Sequence, residues 1–273
     1  MEVKRVLTIA GSDSGGGAGI QADLKTIAAL GGFGMSVITA ITAQNTLGVQ
    51  DVFEVTVEFI EKQFDSVAVD IGIDAAKTGM LCSADIIRCV AKRIRRYRIK
   101  KLVVDPVMVA KGGRSLLAEG ARETLIRELM PLAMVFTPNI PEAESITGLR
   151  ITTMDNMKRA AVEIHKLGAH NVVIKGGHRR GDAVDLLYDG RKFYTLHAPR
   201  IKTKHTHGTG CTFASAIATG LAQENSFLEA AAKAKAYVTE AIRFGIAIGG
   251  GQGPVNHVAP LLCQCGQTGP RIK

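Results

Sequence analysis

The sequence predicts an α/β fold with a central, mostly parallel sheet covered by helices on both faces. Three observations carry this. Short apolar, β-branched runs alternate with segments of helical period along most of the chain. Polar and glycine-rich residues recur just after those runs, where open parallel sheets bind ligands. One antiparallel hairpin, centred on Asp189 and Gly190, breaks the alternation near its end.

The elements follow in order. "VKRVLTIAG" predicts a strand, and "AGIQADLKTIAALG" a helix stopped by Gly31. "GMSVITAITAQN" is strand-like, and "VEFIEKQFDSVAVD" has helical period. "AAKTGML" predicts a short strand. The basic stretch 88–101 comes next, with Ile86, Ile87, Val90, Ile94 and Tyr97 on one face. "KLVVDPV" is an apolar run whose charge arrives only at its end, as in a strand buried on both faces. "LLAEGARETLIRELM" is helical, "MVFTPN" is strand then turn, "NMKRAAVEIHKLG" is helical and "NVVIKGG" is strand. Two helices, over 209–223 and 226–245, close the pattern. Without an internal repeat or linker, a single domain over 1–260 is expected, with a C-terminal tail over 261–273.

Composition bounds the function. Hydrophobic residues make up 46% of the 273 and charged residues 22%, an ordinary balance for a globule with a sizeable core. No apolar run reaches the about 18 residues of a membrane span, and the N-terminus lacks signal-peptide features, so a cytoplasmic protein is expected. Five cysteines, an odd number, argue against a disulfide framework. The net charge of +9 draws on eight Lys or Arg in 88–101. No helix-turn-helix, zinc-finger or RNP signature accompanies them, so a solvated helix face is expected rather than a nucleic-acid surface.

Candidate site residues collect at the predicted strand ends. Gly11, Ser12 and Asp13 follow the first strand, Gln44 and Asn45 the second, and Asp105 follows "KLVV". Thr137 and Asn139 follow "MVF", with Glu142 three residues on, and Lys175 ends "NVVIK". The loop "GSDSGGGAGIQAD" is no Walker A sequence, and its G-x-G-x-x-A lacks the acidic partner of a dinucleotide site. Gly208, Thr209 and Gly210 open a helix, whose unpaired N–H groups and dipole suit an anion or a developing oxyanion. Cys211 follows, and two readings stand: a thiolate stabilised by the helix start, acting as a base, or a cysteine packing that start. Asp105 and Glu142 form a plausible carboxylate pair for magnesium and phosphate, and Lys175 a cation for a transferring phosphoryl group. His205 and His207 have metal-like spacing but nothing in the sequence completes a site.

These residues carry a resemblance. "TIAGSDSGGGAGIQADLKT", "ITAQNT", "DPVMVAK", "TPNIPEAE", "KGGH", "AVDLLYDG" and "THGTGCT" resemble the hydroxymethylpyrimidine/phosphomethylpyrimidine kinases, the thiamin-pathway branch of the ribokinase superfamily. The resemblance implies a ribokinase-like three-layer α/β/α fold, a homodimer, and use of ATP and Mg. It implies transfer of the ATP γ-phosphate to 4-amino-5-hydroxymethyl-2-methylpyrimidine, and then to that monophosphate. It assigns Gly11, Ala18, Asp23, Gln44, Met80 and Val107 to the pyrimidine. It assigns Thr137, Asn139, Lys175 and Gly210 to ATP and phosphate, and Asp105 and Glu142 to the metal. Gly208, Thr209, Gly210, Cys211 and Lys175 become the catalytic set, Cys211 standing where ribokinase has its Asp base. On that assignment Cys211→Ser lowers kcat far more than it raises KM. Gly112, Arg114 and His205 depart from the usual family residues. Pyridoxal kinase is the nearest rival reading, and a non-catalytic pyrimidine-binding regulator is a rival of another class.

Overall fold

Alternation along each strand decides which face of the sheet a residue serves. In the computed structural model, which describes residues 2–109, 116–118, 120–178 and 183–259, strand β1 spans Arg5–Asp13. It sends Leu7 and Ile9 to one face and Val6 to the other. Strand β5 (Leu102–Val104) repeats this with Leu102 and Val104 against Val103, and β7 (Asn171–Ile174) with Val172 and Ile174 against Val173. These buried runs need apolar cover on both sides, which makes three layers.

One layer holds α2 (Val57–Asp70), α3 (Ala84–Arg96) and α6 (Met154–Lys166), packed through Phe64, Ile87 and Ile164. The other holds α1 (Gly19–Ala29), α7 (Thr209–Ala222) and α8 (Phe227–Arg243), packed through Ile27, Ile217 and Ala231. Strands β2 (Phe33–Asn45), β3 (Gly48–Glu54), β4 (Ala75–Thr78) and β6 (Val135–Phe136) complete the sheet with the hairpin β8 (Ala183–Tyr188) and β9 (Phe193–Ala198). The order is β3-β2-β1-β4-β5-β6-β7-β8-β9. Pairing is parallel from β2 through β7 and antiparallel at the two edges. The expected mostly parallel sheet with a hairpin is therefore observed.

Three local features differ from expectation. Residues 48–54, read as no element, form β3, which pairs back on β2 through a tight turn at Thr46 and Leu47. The turn after "MVF" continues into a helix, α5 (Ile140–Thr147), started by a capping box between Asn139 and Glu142. "LLAEGARETLIRELM" becomes helical only from Ala121, as α4 (Ala121–Thr124) followed by a wider π turn over Leu125–Leu129. The basic helix keeps most of its charge on an exposed face, with one arginine turned inward. Arg93 is buried and pairs with Glu61 at 2.9 Å and Asp65 at 2.7 Å, and Arg88 pairs with Asp85 at 2.6 Å. Among the described residues no helix is long and apolar enough to cross a membrane. Gly112, Arg114 and the tail with Cys263 and Cys265 lie outside the described residues.

Candidate active site

The carboxyl ends of β1, β4 and β5, the turns after β6 and β7, and the start of α7 enclose a cavity of about 940 Å³. Parallel strands all deliver their ends to this one edge, so residues far apart in sequence converge there.

At one end Lys175, placed just after β7, donates through Nζ to Asp105 Oδ1 at 2.6 Å. Glu142 Oε2 lies 4.0 Å from the same nitrogen. Thr137, fully buried behind them, donates its hydroxyl to Asp105 Oδ1 at 3.0 Å. Burial disfavours charge on Lys175, but Asp105 and then Glu142 outweigh it and hold the ammonium charged. Helix α7 begins against this pair. A Cβ at Gly210 would lie 3.5 Å from both Asp105 Oδ2 and Lys175 Nζ. The first amides of α7, which have no intrahelical acceptors, thus open beside a fixed cation. Gly208 makes that approach possible: its φ is 81°, and a Cβ there would fall 1.8 Å from the Gly17 carbonyl oxygen.

Glu142 has a second task. Its Oε2 accepts from the Asn139 amide at 2.7 Å while Asn139 Oδ1 accepts from the Glu142 amide at 2.9 Å. The N-x-x-E spacing is therefore a helix cap as well as a candidate ligand pair. Burial pushes the Glu142 carboxyl up to about 7, with Lys175 opposing and Asp105 adding to the rise.

Cys211 is half-buried at the cavity wall. Of the two readings of Cys211, burial of the sulfur favours the packing cysteine. Burial pushes the thiol up to about 11, and the counteracting cation Lys77 is offset by Asp23 and Asp105. Desolvation of the sulfur thus favours the neutral thiol.

At the other end Gly11, Ala18, Met80 and Val107 give the cavity a small, mostly apolar wall beside Gln44. His207 Nε2 lies 2.9 Å from Asp13 Oδ2 and 3.3 Å from Gln44 Nε2. The Asp13 carboxylate also accepts the amides of Gly15, Gly17 and Ala18 at 2.8, 3.0 and 2.8 Å, which shapes the first glycine loop. Burial pushes the Asp13 carboxyl up, but the His207 hydrogen bond and the Ala18 amide outweigh it and hold it below its ordinary value.

Asp23 is placed differently from the expectation. It is fully buried under the cavity floor, where its carboxylate takes Lys77 Nζ at 2.9 Å, the Thr8 hydroxyl at 2.6 Å and the Ser215 hydroxyl at 2.7 Å. Both oxygens are engaged by the protein, and Lys77 rather than Asp23 lines the cavity. Thr137 likewise stands behind Asp105 rather than in the wall. The other expected residues, Gly11, Ala18, Gln44, Met80, Val107, Asp105, Asn139, Glu142, Lys175 and Gly208 to Cys211, line the one cavity.

Sequence reasoning passed over Lys77 and weighed His207 only as a metal ligand. A lone lysine inside the apolar strand "AAKTGML" was a usable signal, because a charge there demands a buried partner. Among the described residues no group of three or more His, Cys, Asp or Glu could hold a metal. The pair Lys235–Asp185 at 2.7 Å was also missed; its aspartate accepts the Gly176 amide at 2.8 Å next to Lys175.

Comparison with known proteins supports the fold. The phosphomethylpyrimidine kinase family profile matches residues 13–256. The chain is 52% identical to the hydroxymethylpyrimidine/phosphomethylpyrimidine kinase of Bacillus subtilis, covering 95% of this chain and 96% of that protein. It is 56% identical over 93% of its length to the thiamine biosynthesis bifunctional protein of Geobacter sulfurreducens, of which it spans about half (52%). The crystal structure of an ADP complex of Bacillus subtilis pyridoxal kinase superimposes with a TM-score of 0.90 at 43% identity, covering 96% of this chain and all of that one. With the fold, the cavity and these matches in agreement, the chain belongs to the phosphomethylpyrimidine kinase family.

Proposed function

We propose that this chain transfers the ATP γ-phosphate to the hydroxymethyl group of 4-amino-5-hydroxymethyl-2-methylpyrimidine, and then phosphorylates that monophosphate, in thiamine biosynthesis. One observation carries the reading. A polar slot at Gln44 and an anion seat built from Lys175 and the Gly208–Gly210 helix start open into the same cavity. A ring held in the slot turns its alcohol toward the seat. The names of the relatives support the substrate class.

The division of labour follows from the geometry. Gln44 orients the ring through a donor and an acceptor on one amide. Lys175 and the α7 amides stabilise the charge on the moving phosphoryl group in a preorganised, water-poor setting. Asp105 and Glu142 fit Mg²⁺, which typically takes one or two carboxylates together with substrate phosphates rather than a full protein cage. Bound there, the ion would neutralise phosphate charge. A thiol held protonated is a poor acceptor for the alcohol proton, so Cys211 is read as a wall residue that hydrogen-bonds the alcohol. Phosphoryl transfer through a loose transition state needs little base help.

A second reading, a pyridoxal kinase, draws on the likeness to the solved pyridoxal kinase. A binding-only regulator has no matching observation, because the charged and helix-start groups of the seat are assembled together. We also infer a cytoplasmic homodimer. Its support is the edge strand pair β2–β3, where Ile41 and Phe53 face each other in register and are 51% and 70% exposed. Light scattering on the purified protein tests it.

Mass spectrometry of products tests the activity. The protein, ATP and magnesium are mixed separately with the aminopyrimidine alcohol, its monophosphate and pyridoxal. Mono- then pyrophosphate formation supports the first reading. Phosphorylation of pyridoxal alone moves the chain to the second, and no product from any arm leaves only a binding protein.

A further inference from the structure

We propose that His207 is a positioning residue that fixes the orientation of the Gln44 amide, and so decides which way round an aminopyrimidine binds. The inference rests on the reading above that Gln44 meets the ring.

His207 Nε2 faces Asp13 Oδ2 at 2.9 Å. An ionised carboxylate only accepts, so this nitrogen carries the hydrogen. The same nitrogen lies 3.3 Å from one end of the Gln44 amide, the end placed as Nε2. The two ends of an amide exchange by a half-turn, and the surrounding hydrogen bonds decide between them. An N–H cannot accept from an amide nitrogen. The end facing His207 must therefore be the oxygen, sharing the His207 hydrogen with Asp13.

An independent neighbour is compatible with the same turn. The Thr42 hydroxyl donates its single hydrogen to the Ser12 carbonyl at 2.8 Å. Its oxygen also lies 3.2 Å from the other end of the Gln44 amide. With its hydrogen given to the nearer Ser12 carbonyl, Thr42 is an acceptor there and accommodates the NH₂ end. Histidine thus selects the orientation and threonine accommodates it.

The main chain at His207 is anchored on both sides. The His207 amide donates to the Gly253 carbonyl at 3.1 Å, and the His207 carbonyl accepts from the Val255 amide at 3.1 Å. The glycine loop closes over the ring edge: a Cβ at Gly17 would fall 2.5 Å from His207 Cδ2. Since His207 directly precedes the helix start at Gly208, one short segment positions both ends of the cavity.

The consequence is directional. Gln44 offers an acceptor on the His207 side and a donor on the Thr42 side. An amidine edge, an exocyclic amine beside a ring nitrogen, matches it in one sense only: amine toward His207, ring nitrogen toward Thr42. A ring without the amine loses the acceptor contact.

The test is calorimetric binding of two ligands, the aminopyrimidine alcohol and its analogue lacking the amine. The proteins are wild type, Gln44→Ala, His207→Ala and His207→Gln, which keeps an N–H donor. Wild type should prefer the amine-bearing ring by about tenfold, the value of one lost hydrogen bond. In Gln44→Ala and His207→Ala the preference should shrink below about threefold, and His207→Gln should restore most of it. The KM for ATP should stay within about twofold of wild type in His207→Gln. Equal weakening of both rings in His207→Ala and His207→Gln would show a merely structural role and overturn the proposal. So would an unchanged preference in His207→Ala. If wild type binds neither ring, the substrate reading falls and takes this inference with it. A wild-type preference that survives His207→Ala sinks the inference alone.

Discussion

Lys77, in β4, and Lys175, just past β7, both pair with an aspartate at the same cavity, yet their surroundings differ in kind. The Lys77 and Asp23 side chains are each 0% exposed, and two hydroxyls complete the carboxylate's shell. Lys175 is 17% exposed beside Asp105 at 2%, with a second carboxylate at 4.0 Å and the start of α7 alongside. The first pair is closed off from solvent, and both oxygens of its aspartate are engaged by the protein. The second is partly open and lines the cavity together with its carboxylates. Residue type and strand-end position are shared, so burial and the completeness of the aspartate's shell are what separate the two pairs.

That contrast can be broken by substitution. The largest effect is expected for Lys77→Met. It strands the Asp23 charge and should cost about 3–5 kcal/mol of stability, read by urea unfolding. Removing both charges, as in Lys77→Met with Asp23→Leu, should cost less than the single change. If the single change is tolerated, the pair is not the structural one.

Lys175→Met should do the reverse. The loss of one preorganised charge partner should lower kcat by about 10²–10³-fold, with a much smaller change in melting temperature. Cys211→Ser should lower kcat less than this, because a neutral thiol contributes positioning rather than proton acceptance. Steady-state kinetics on the two variants decides the order; a larger loss at Cys211 would restore it as the base.

The glycines of the helix start sharpen the comparison by sign. Gly208→Ala meets both a φ of 81° and the Gly17 carbonyl, and should destabilise the protein. Gly210→Ala has only ordinary contact distances and a helical site, so it should stabilise by about 0.5–1 kcal/mol. Its methyl occupies space beside Lys175, so kcat/KM for ATP should fall. Thermal melts and kinetics on the pair test both signs.

A pH-dependent effect is expected at Glu142. Its carboxyl is raised from an ordinary 4.5 to about 7. A raised pKa stabilises the fold fully below the unfolded value and loses that contribution as pH climbs through the folded one. Glu142→Gln can still accept the Asn139 amide but never ionises. Its ligand-free melting temperature should match wild type near pH 5 and exceed it at pH 8, by about 2–4 °C for each kcal/mol. No divergence with pH would place the Glu142 carboxyl in its ordinary range.

Much of the site was legible before folding was considered. Asp105, Lys175 and Gly208 to Gly210 declared themselves because strand-end polarity and a glycine-opened helix are local signals. Asp23 was assigned to the ring by resemblance, and its place in a helix says nothing of which neighbours claim its carboxylate. Lys77, Thr8 and Ser215 come from β4, β1 and α7, and meet it only in the assembled core. Residues 48–54 were missed because an exposed antiparallel edge lacks the continuous apolar run that marks the buried parallel strands.

The sequence by itself determined the order of elements, the mostly parallel sheet and the family, since periodicity, turn chemistry and long motifs are written along the chain. Only the tertiary structure decided how differently the two lysines are shielded, that burial raises the Cys211 thiol, and that His207 reaches Gln44. Those depend on desolvation and on hydrogen-bond partners up to 194 residues apart, such as Asp13 and His207, which no local pattern records.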